Sequence, residues 1–586
     1  MFKHNKNKRT GTRLEDGKTA HAADHQQWSR RQFLSRTGVM GGGMLFGSSL
    51  FSFASPLFSS LYDNPDNDRV LILIRLAGGN DGLNTIVPFG SNNRRSLYET
   101  ARSTVGLGIS ELTQISPEFA LPNVMADPTT GIHSLWQQNN MAVIHNVGYT
   151  NQSRSHFTGS DLWATGAVND SSKNDLRQYT GWMGRYHDNT LPTFLETPPV
   201  IPPAIQIGTS NNLIFRGEGG TPYDMVFTDT QSIFDVIETG ELYNTSDFIP
   251  SDCDDVVIQN IERAFVRRVN NNSFRYAGSI QAAWEKGDYG SPDYGDNYLA
   301  EQMSIVARLI KGKLGTKIYL VTLGGFDTHA AQKNTHLALL EKVSNAIRST
   351  YDDLQAVGHA DRVMMMTFSE FGRTVTQNDS AGTDHGTLAP VMLFGGGVNG
   401  QNFYGTPMDL SSDKVDGLGL VDYDTQDGTL DFRTIYDRVL RDWLCAGAQL
   451  SDDVLNHGVD DNAGLQRYND TGAECSGTGT NCTDPLGGMI LGGCNATVSQ
   501  SATTDPQRVV FGFNFNDATG LVEFKFGLKY PANVKLTIAG NDIIEAENSY
   551  HEAGSYTYTE NILPGEYLCR LEAGGTVTER TLIINQ

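Results

Sequence analysis

The sequence predicts an α/β fold, a mostly parallel sheet sandwiched by helices, followed by a small C-terminal β-sandwich. Three observations predict it. Near-continuous apolar runs such as Arg69–Leu76 and Val363–Phe368 read as strands buried on both faces. Amphipathic helical stretches alternate with them, as at Tyr298–Lys313 and Leu337–Leu354. After residue 505 the pattern changes to period-two strands separated by turn residues, with no helix between them.

With 586 residues the chain is too long for one core. The reading divides it into a leader (1–61), an α/β domain (68–450), a Gly/Asp/Thr-rich linker (451–505) and a β-sandwich (506–586). The formal net charge is -23, with 67 acidic against 44 basic residues, which argues against nucleic acid as a partner. Carboxylates in such number suit divalent cations. The six cysteines, three of them in the linker at Cys475, Cys482 and Cys494, match no structural zinc spacing. They allow disulfides in an exported protein.

The leader is polar and basic up to Gln27, then reads Ser29-Arg30-Arg31-Gln32-Phe33-Leu34. Those residues resemble the twin-arginine export motif. The mildly apolar stretch Gly38–Leu61 suits a signal-peptide apolar region, with Ser52-Phe53-Ala54 as a candidate cleavage site.

The first strand, Val70–Leu76, breaks into Gly78-Gly79-Asn80-Asp81-Gly82. Asp81 just past a strand end suits a metal ligand, and equally a turn residue bonded to its own loop. The G-x-G-x-x-G dinucleotide fingerprint is absent there. The second strand, Met141–Gly148, leads to Ser153-Arg154-Ser155-His156-Phe157. Serine at a helix start meets the helix dipole and free N–H groups, a place for a nucleophile or for a plain N-cap. It does not resemble the G-x-S-x-G elbow. The stretch 180–297 is irregular and names no ligand. The strand Thr316–Leu323 ends in Gly325-Phe326-Asp327-Thr328-His329. Val363–Phe368 ends in Ser369-Glu370-Phe371-Gly372-Arg373, followed by Thr383-Asp384-His385-Gly386. Pro390–Gly397 gives a further strand, and Asp431–Trp443 closes the domain as a helix with Phe432, Ile435, Tyr436 and Val439 on one face. Several strand ends thus deliver Asp, Glu, His or Ser, a set suited to Zn²⁺, Mn²⁺, Mg²⁺ or Ca²⁺.

Taken in order, the Arg75–Thr85, Ser153–Phe157, Gly325–His329, Ser369–Arg373 and Asp431–Leu444 motifs resemble the exported family known as domain of unknown function fifteen-oh-one, over about Val70 to Leu444. That family is thought related to the alkaline phosphatase and sulfatase superfamily. The resemblance implies a metal-dependent hydrolase of phosphate or sulfate esters, acting on a small-molecule or polysaccharide ester. It implies Asp81, Asp327, His329, Glu370, Asp384 and His385 as metal residues, and Ser155 or Ser153 as nucleophile. Arg154 or Arg373 would steady the anion, with Asn80 and His156 elsewhere in the pocket. The Asp-x-His spacing and the Ser-Glu-Phe-Gly-Arg motif depart from the superfamily pattern and leave the metal count at two, one or none. A non-catalytic surface protein that keeps the fold is the alternative. The C-terminal stretch from about Phe511, with Pro564-Gly565-Glu566-Tyr567 and Gly574-Gly575, resembles the sorting domain of type IX secretion cargo. It implies delivery across an outer membrane to the cell surface or medium.

Overall fold

The computed structural model describes residues 68–166, 180–191, 201–208, 212–229, 276–455 and 486–491, with Phe194, Pro199 and Ser232, and seven strands between Val509 and Ile584. The leader and most of the linker lie outside the described residues. The chain forms two compact units, 1–494 and 495–586.

The first unit is built on a nine-stranded sheet. Its strands are β1 (Val70–Ala77), β5 (Met141–Gly148), β6 (Ala204–Ile207), β7 (Asp224–Phe227), β8 (Ile318–Gly324), β9 (Val363–Phe368), β10 (Ala389–Phe394), β11 (Asn402–Tyr404) and β12 (Leu430–Asp431). Between β1 and β5, β2 (Val87–Pro88), β3 (Leu112–Gln114) and β4 (Phe119–Pro122) make a small antiparallel sheet. The large sheet runs β11-β5-β10-β9-β1-β8-β6-β7, with β12 also paired to β5. All pairs are parallel except those of β10, which runs antiparallel to both β5 and β9. The edge strand β7 and its neighbour β6 fall in the stretch that the sequence reads as irregular. They are four residues each, too short to carry a legible period.

The sheet is covered on both sides, as its apolar runs demand. From β1, Ile72 and Ile74 pack into one buried cluster and Leu71 and Leu73 into another. The first cluster takes the apolar faces of α3 (Tyr298–Lys311) and α4 (Gln332–Gln355); the second takes α5 (Phe432–Arg438). Two shorter-range helices also matter below: α1 (Asn93–Ala101) and α2 (His156–Thr165). Past α5 the chain widens into a π-helical turn, Val439–Trp443, so the expected single helix is two pieces. Trp443 Nε1 donates to the Val70 carbonyl at 3.0 Å and ties that turn to the start of β1. Among the described residues, no helix is long and apolar enough to cross a membrane.

The direction of β10 places the site. In a parallel sheet, side chains gather at the carboxyl ends of the strands. Because β10 is reversed, residues before it, not after it, reach that edge. His385 precedes β10 and therefore joins Asp327, which follows β8, and Glu370, which follows β9.

The second unit has two antiparallel sheets: β13 (Val509–Asn516), β14 (Leu521–Leu528) and β17 (Gly554–Asn561) in one, and β15 (Ala532–Ala539), β16 (Ile543–His551), β18 (Gly565–Ala573) and β19 (Thr576–Ile584) in the other. Val522 and Phe524 of the first share one buried cluster with Val534, Leu536, Leu571 and Leu582 of the second. Cys569 is buried there as a free thiol.

A buried ion pair fastens the loop ahead of α3. Lys311 Nζ donates to Asp353 Oδ1 on α4 at 2.8 Å, and to the Tyr289 carbonyl and Ser291 Oγ at 2.8 and 2.7 Å. Both side chains are essentially inaccessible, at 0% and 1% exposure. Asp353→Ala strands the ammonium without its counter-charge, and we expect a loss of about 3–5 kcal/mol in chemical denaturation. The double change Lys311→Met with Asp353→Leu should recover most of it. Equal losses in the single and double variants would show that packing, not charge, holds this joint.

Candidate metal centre

Asp327 lies in the loop after β8, half-exposed, and three imidazoles face it. His329 Nε2 and His385 Nε2 are each 3.0 Å from its Oδ1, and His156 Nε2 is 3.4 Å from its Oδ2. The His329 and His385 Nε2 atoms are 2.9 Å apart.

Local chain geometry explains how four residues from distant segments meet. His156 is the first residue of α2. His385 is held by a short antiparallel pairing: Gly372 N donates to the Thr387 carbonyl, Gly386 N to the Gly372 carbonyl and Thr374 N to the Asp384 carbonyl, at 2.7–3.0 Å. A Cβ on Gly386 would come within 2.4 Å of the Arg373 backbone, so the glycine of Asp384-His385-Gly386 lets the two segments close. Gly78, with φ +123°, does the same against the Asp327 backbone.

The far nitrogen of each ring is fixed by an acceptor. His329 Nδ1 is 2.9 Å from Asp384 Oδ1, His156 Nδ1 is 2.9 Å from Glu370 Oε1, and His385 Nδ1 is 2.9 Å from the Arg154 carbonyl oxygen. A carbonyl only accepts, and both carboxylates are held below their usual range. For Glu370, burial pushes upward, but the bond from His156 and the charge of Arg75 outweigh it; for Asp384, burial is outweighed by His329 and Asn378. Each Nδ1 is therefore the donor to its acceptor, and each ring turns its Nε2 towards Asp327. Such backing by carboxylate or carbonyl is how metal-ligating histidines are oriented.

The donor set fits a cation. Tetrahedral ligands at 2.0–2.1 Å from zinc stand roughly 3.3 Å apart. The four contacts given above run from 2.9 to 3.4 Å. Three lone pairs converging on an anion are repulsive unless a proton or a cation lies among them. His156, Asp327 and His385 in particular bring one ligand atom each within 4.8 Å of one another.

The remaining expected residues lie as follows. Glu370 and Asp384, expected as ligands, stand one step back, each behind a histidine. Glu370 Oε1 also accepts from Gly78 N at 2.8 Å, while its Oε2 is buried with no hydrogen-bond partner. His156, expected only elsewhere in the pocket, faces Asp327 directly. Asp81, expected as a first ligand, instead forms a buried ion pair: Arg102 Nη1 donates to its Oδ2 at 2.6 Å, and Gln332 donates to the same oxygen. Burial works to raise the Asp81 carboxyl, and Arg102 holds it below its usual range. Asn80 braces the loop, its Oδ1 facing Thr85 Oγ1 at 3.1 Å and His336 Nε2 at 3.0 Å. Arg373, expected to steady an anion, is buried and spent on the fold. It donates to the Gly78, Gly79, Phe326 and Thr383 carbonyls and, at 2.6 Å, to Asp327 Oδ1.

Ser155 is the N-cap of α2; its side chain makes no capping bond and is exposed. Ser153 Oγ accepts from Ser155 N at 3.3 Å. The Arg154 side chain is exposed beside them. Arg102, Gln332 and His336 were not singled out by sequence. The one available signal was an arginine at 102 on a stretch otherwise reading as helix end and turn.

The family model described as "Protein of unknown function (DUF1501)" matches residues 258–419, a span that includes Asp327, His329, Glu370, Arg373, Asp384 and His385. No curated protein matches the sequence. Among solved structures, the chain is similar to an alkaline phosphatase from the Antarctic bacterium TAB5 at 10% identity, over 56% of this chain and 92% of that one, with a TM-score of 0.25. It is similar to the PsFucS1 sulfatase from Pseudoalteromonas sp. at 10% identity, over 86% and 87% of the two chains, with a TM-score of 0.30. The lipoteichoic acid synthase LtaP from Listeria monocytogenes matches at 9% identity over 61% and 71%, with a TM-score of 0.26.

Two outcomes follow from this geometry. Asp81→Asn removes the counter-charge of Arg102 and should cost about 3–5 kcal/mol of stability, yet leave metal content unchanged. His329→Ala and His385→Ala should each abolish stoichiometric metal while leaving the fold intact by circular dichroism. Metal lost in Asp81→Asn but kept in the histidine variants would reverse the assignment. The second outcome concerns pH. Burial lowers His156, but its bonds to Asp327 and Glu370 outweigh that and push it up to about 9. A metal must displace that proton, so affinity should rise about tenfold per pH unit from neutrality towards pH 9. A flat profile in competition titrations with a chelator would count against His156 as a ligand.

Proposed function

We propose that the chain is an exported, metal-dependent hydrolase of phosphate or sulfate esters. The observation that carries this reading is the convergence of three backed imidazoles on the Asp327 carboxylate at a strand-end edge. His156, Asp327, His329 and His385 would hold the metal. A nitrogen-rich set with one carboxylate suits zinc, then manganese, ahead of magnesium or calcium. A divalent ion so bound supplies Lewis acidity to an ester oxygen.

The chain's own groups have assigned roles. Ser155 is the nucleophile, its hydroxyl set at the N-terminus of α2 one residue before His156, where the dipole favours developing negative charge. Ser153 is the alternate. The exposed guanidinium of Arg154 steadies the ester's anionic oxygens. Asp384 and Glu370 keep the His329 and His156 protons on Nδ1.

Export is part of the proposal. It rests on the Ser29–Leu34 motif, with the export machinery as partner, and on the C-terminal unit as the address for an outer-membrane secretion machinery. Cys445 is disulfide-bonded, its partner lying outside the described residues. A disulfide suits an oxidising compartment.

One observation favours the alternative of a non-catalytic surface or assembly protein. The 2.6 Å bond from Arg373 already gives Asp327 a fixed counter-charge. The two readings separate on a panel of phosphate and sulfate monoesters and diesters. We expect turnover by the metal-loaded protein, falling at least about a hundredfold in Ser155→Ala with metal retained. Stoichiometric metal with no turnover on any ester would favour the binding protein.

A further inference from the structure

Two segments supply most of the groups around Asp327. The loop after β8 carries Asp327 and His329, and the segment before β10 carries Asp384 and His385. They lie backbone to backbone: Thr383 N donates to the Thr328 carbonyl at 3.2 Å, and a Cβ on Gly382 would fall 2.2 Å from the His329 carbonyl carbon. A buried side chain reaches both segments from below. It is Gln332, the first residue of α4.

The orientation of its carboxamide is dictated by its neighbours. Burial works to raise the Asp81 carboxyl, but Arg102 holds it below its usual range, so Asp81 only accepts. The amide nitrogen must therefore face Asp81, and Gln332 Nε2 donates to its Oδ2. That leaves Gln332 Oε1 pointing the other way, as an acceptor. Two hydroxyls donate to it, Thr328 Oγ1 at 3.1 Å and Thr383 Oγ1 at 2.5 Å. The other carbonyl near the Thr328 hydroxyl, that of Phe326, is 3.4 Å away.

The two threonines are placed to matter. Thr328 stands between Asp327 and His329, and Thr383 directly precedes Asp384, which backs His329, and His385 follows. Both are buried, as is Gln332 itself. The base they rest on is firm. Gln332 N donates to the Ala381 carbonyl at 2.8 Å and Ala331 N to the Ser380 carbonyl at 3.0 Å, which docks the start of α4 against the second segment. Ala331 takes φ +46°, a left-handed backbone, to make that turn.

We infer that Gln332 is a positioning residue for the metal centre: its one carboxamide oxygen, shared by Thr328 and Thr383, fixes the spacing of His329 and His385 about Asp327. The inference rests on the reading of those residues as metal ligands. Residues behind a ligand set its direction, and a metal with short bonds tolerates little error in it. The buried pair beneath then has a second use. Arg102 and Gln332 both donate to Asp81 Oδ2, so Asp81 aims the carboxamide while it neutralises the arginine. Asp81→Asn still offers an oxygen to Gln332, which is why it should spare the metal.

Zinc affinity by chelator competition, and the visible spectrum of the cobalt-loaded full chain, test the inference on three variants. Gln332→Met keeps the length and bulk of the side chain without donor or acceptor. Thr383→Val removes one hydroxyl in the same shape, and Thr383→Ser retains it. We expect Gln332→Met and Thr383→Val each to weaken zinc by about tenfold or more and to shift the cobalt ligand-field bands at saturating metal, with Thr383→Ser close to wild type in both. A role in packing alone would lower the denaturation midpoint and leave the saturated spectrum unmoved. Wild-type affinity and spectrum in Gln332→Met, or equal losses in Thr383→Val and Thr383→Ser, overturn the inference while leaving the metal centre standing. A wild-type chain that takes up no stoichiometric zinc overturns the metal centre, and the inference with it. Should Gln332→Met fail to fold, the valine and serine pair at Thr383 decides it.

Discussion

The first unit depends on the negative charge of Asp327. Four partners with positive or polarisable nitrogen press on one carboxylate: Arg373 from beneath and His156, His329 and His385 from the solvent side. Burial would raise this carboxyl, yet those partners hold it far below its usual range. Each partner comes from a different segment, so the carboxylate is also where the α2 start, the β8 loop and the segment before β10 are joined. Remove it, and three imidazoles and a buried guanidinium face one another without a counter-charge.

Arg373 divides the labour. Its guanidinium is consumed by the carbonyls of Gly78, Gly79 and Phe326, backbone groups left over where β1 and β8 end, and by that of Thr383 in the segment before β10. Unpaired carbonyls at such turns would be costly in a buried position. The arginine therefore closes the strand ends and supplies Asp327 with charge in one stroke. The same residue also lines the pocket at the β5 bulge, where His145 and Asn146 together oppose Pro390.

Much of this was legible in the sequence, for physical reasons that can be named. Val70–Ala77, Met141–Gly148 and Val363–Phe368 announce themselves because strands buried on both faces must be apolar at every position. Asp327 and His329 were legible because polar residues shortly after such a run lie at the sheet's edge, whereas His385 was legible only as part of the Asp384-His385-Gly386 motif. The reversed direction of β10 was not legible: a six-residue apolar run carries no sign of its polarity. Nor was the fate of Asp81. Whether a carboxylate at a strand end meets a metal or an arginine depends on Arg102, twenty-one residues away, whose orientation no local pattern specifies. His145 and Asn146 were hidden inside a run that reads as plain strand, since a bulge is set by Pro390 on the neighbouring strand.

The central claim is that three histidine Nε2 atoms and the Asp327 carboxylate form one coordination sphere. X-ray absorption at the zinc edge of the zinc-loaded chain tests it most directly. The account predicts about three nitrogen scatterers with imidazole multiple-scattering features and one or two oxygens, at roughly 2.0–2.1 Å. A zinc ion surrounded by oxygen alone, with no imidazole signature, would contradict it.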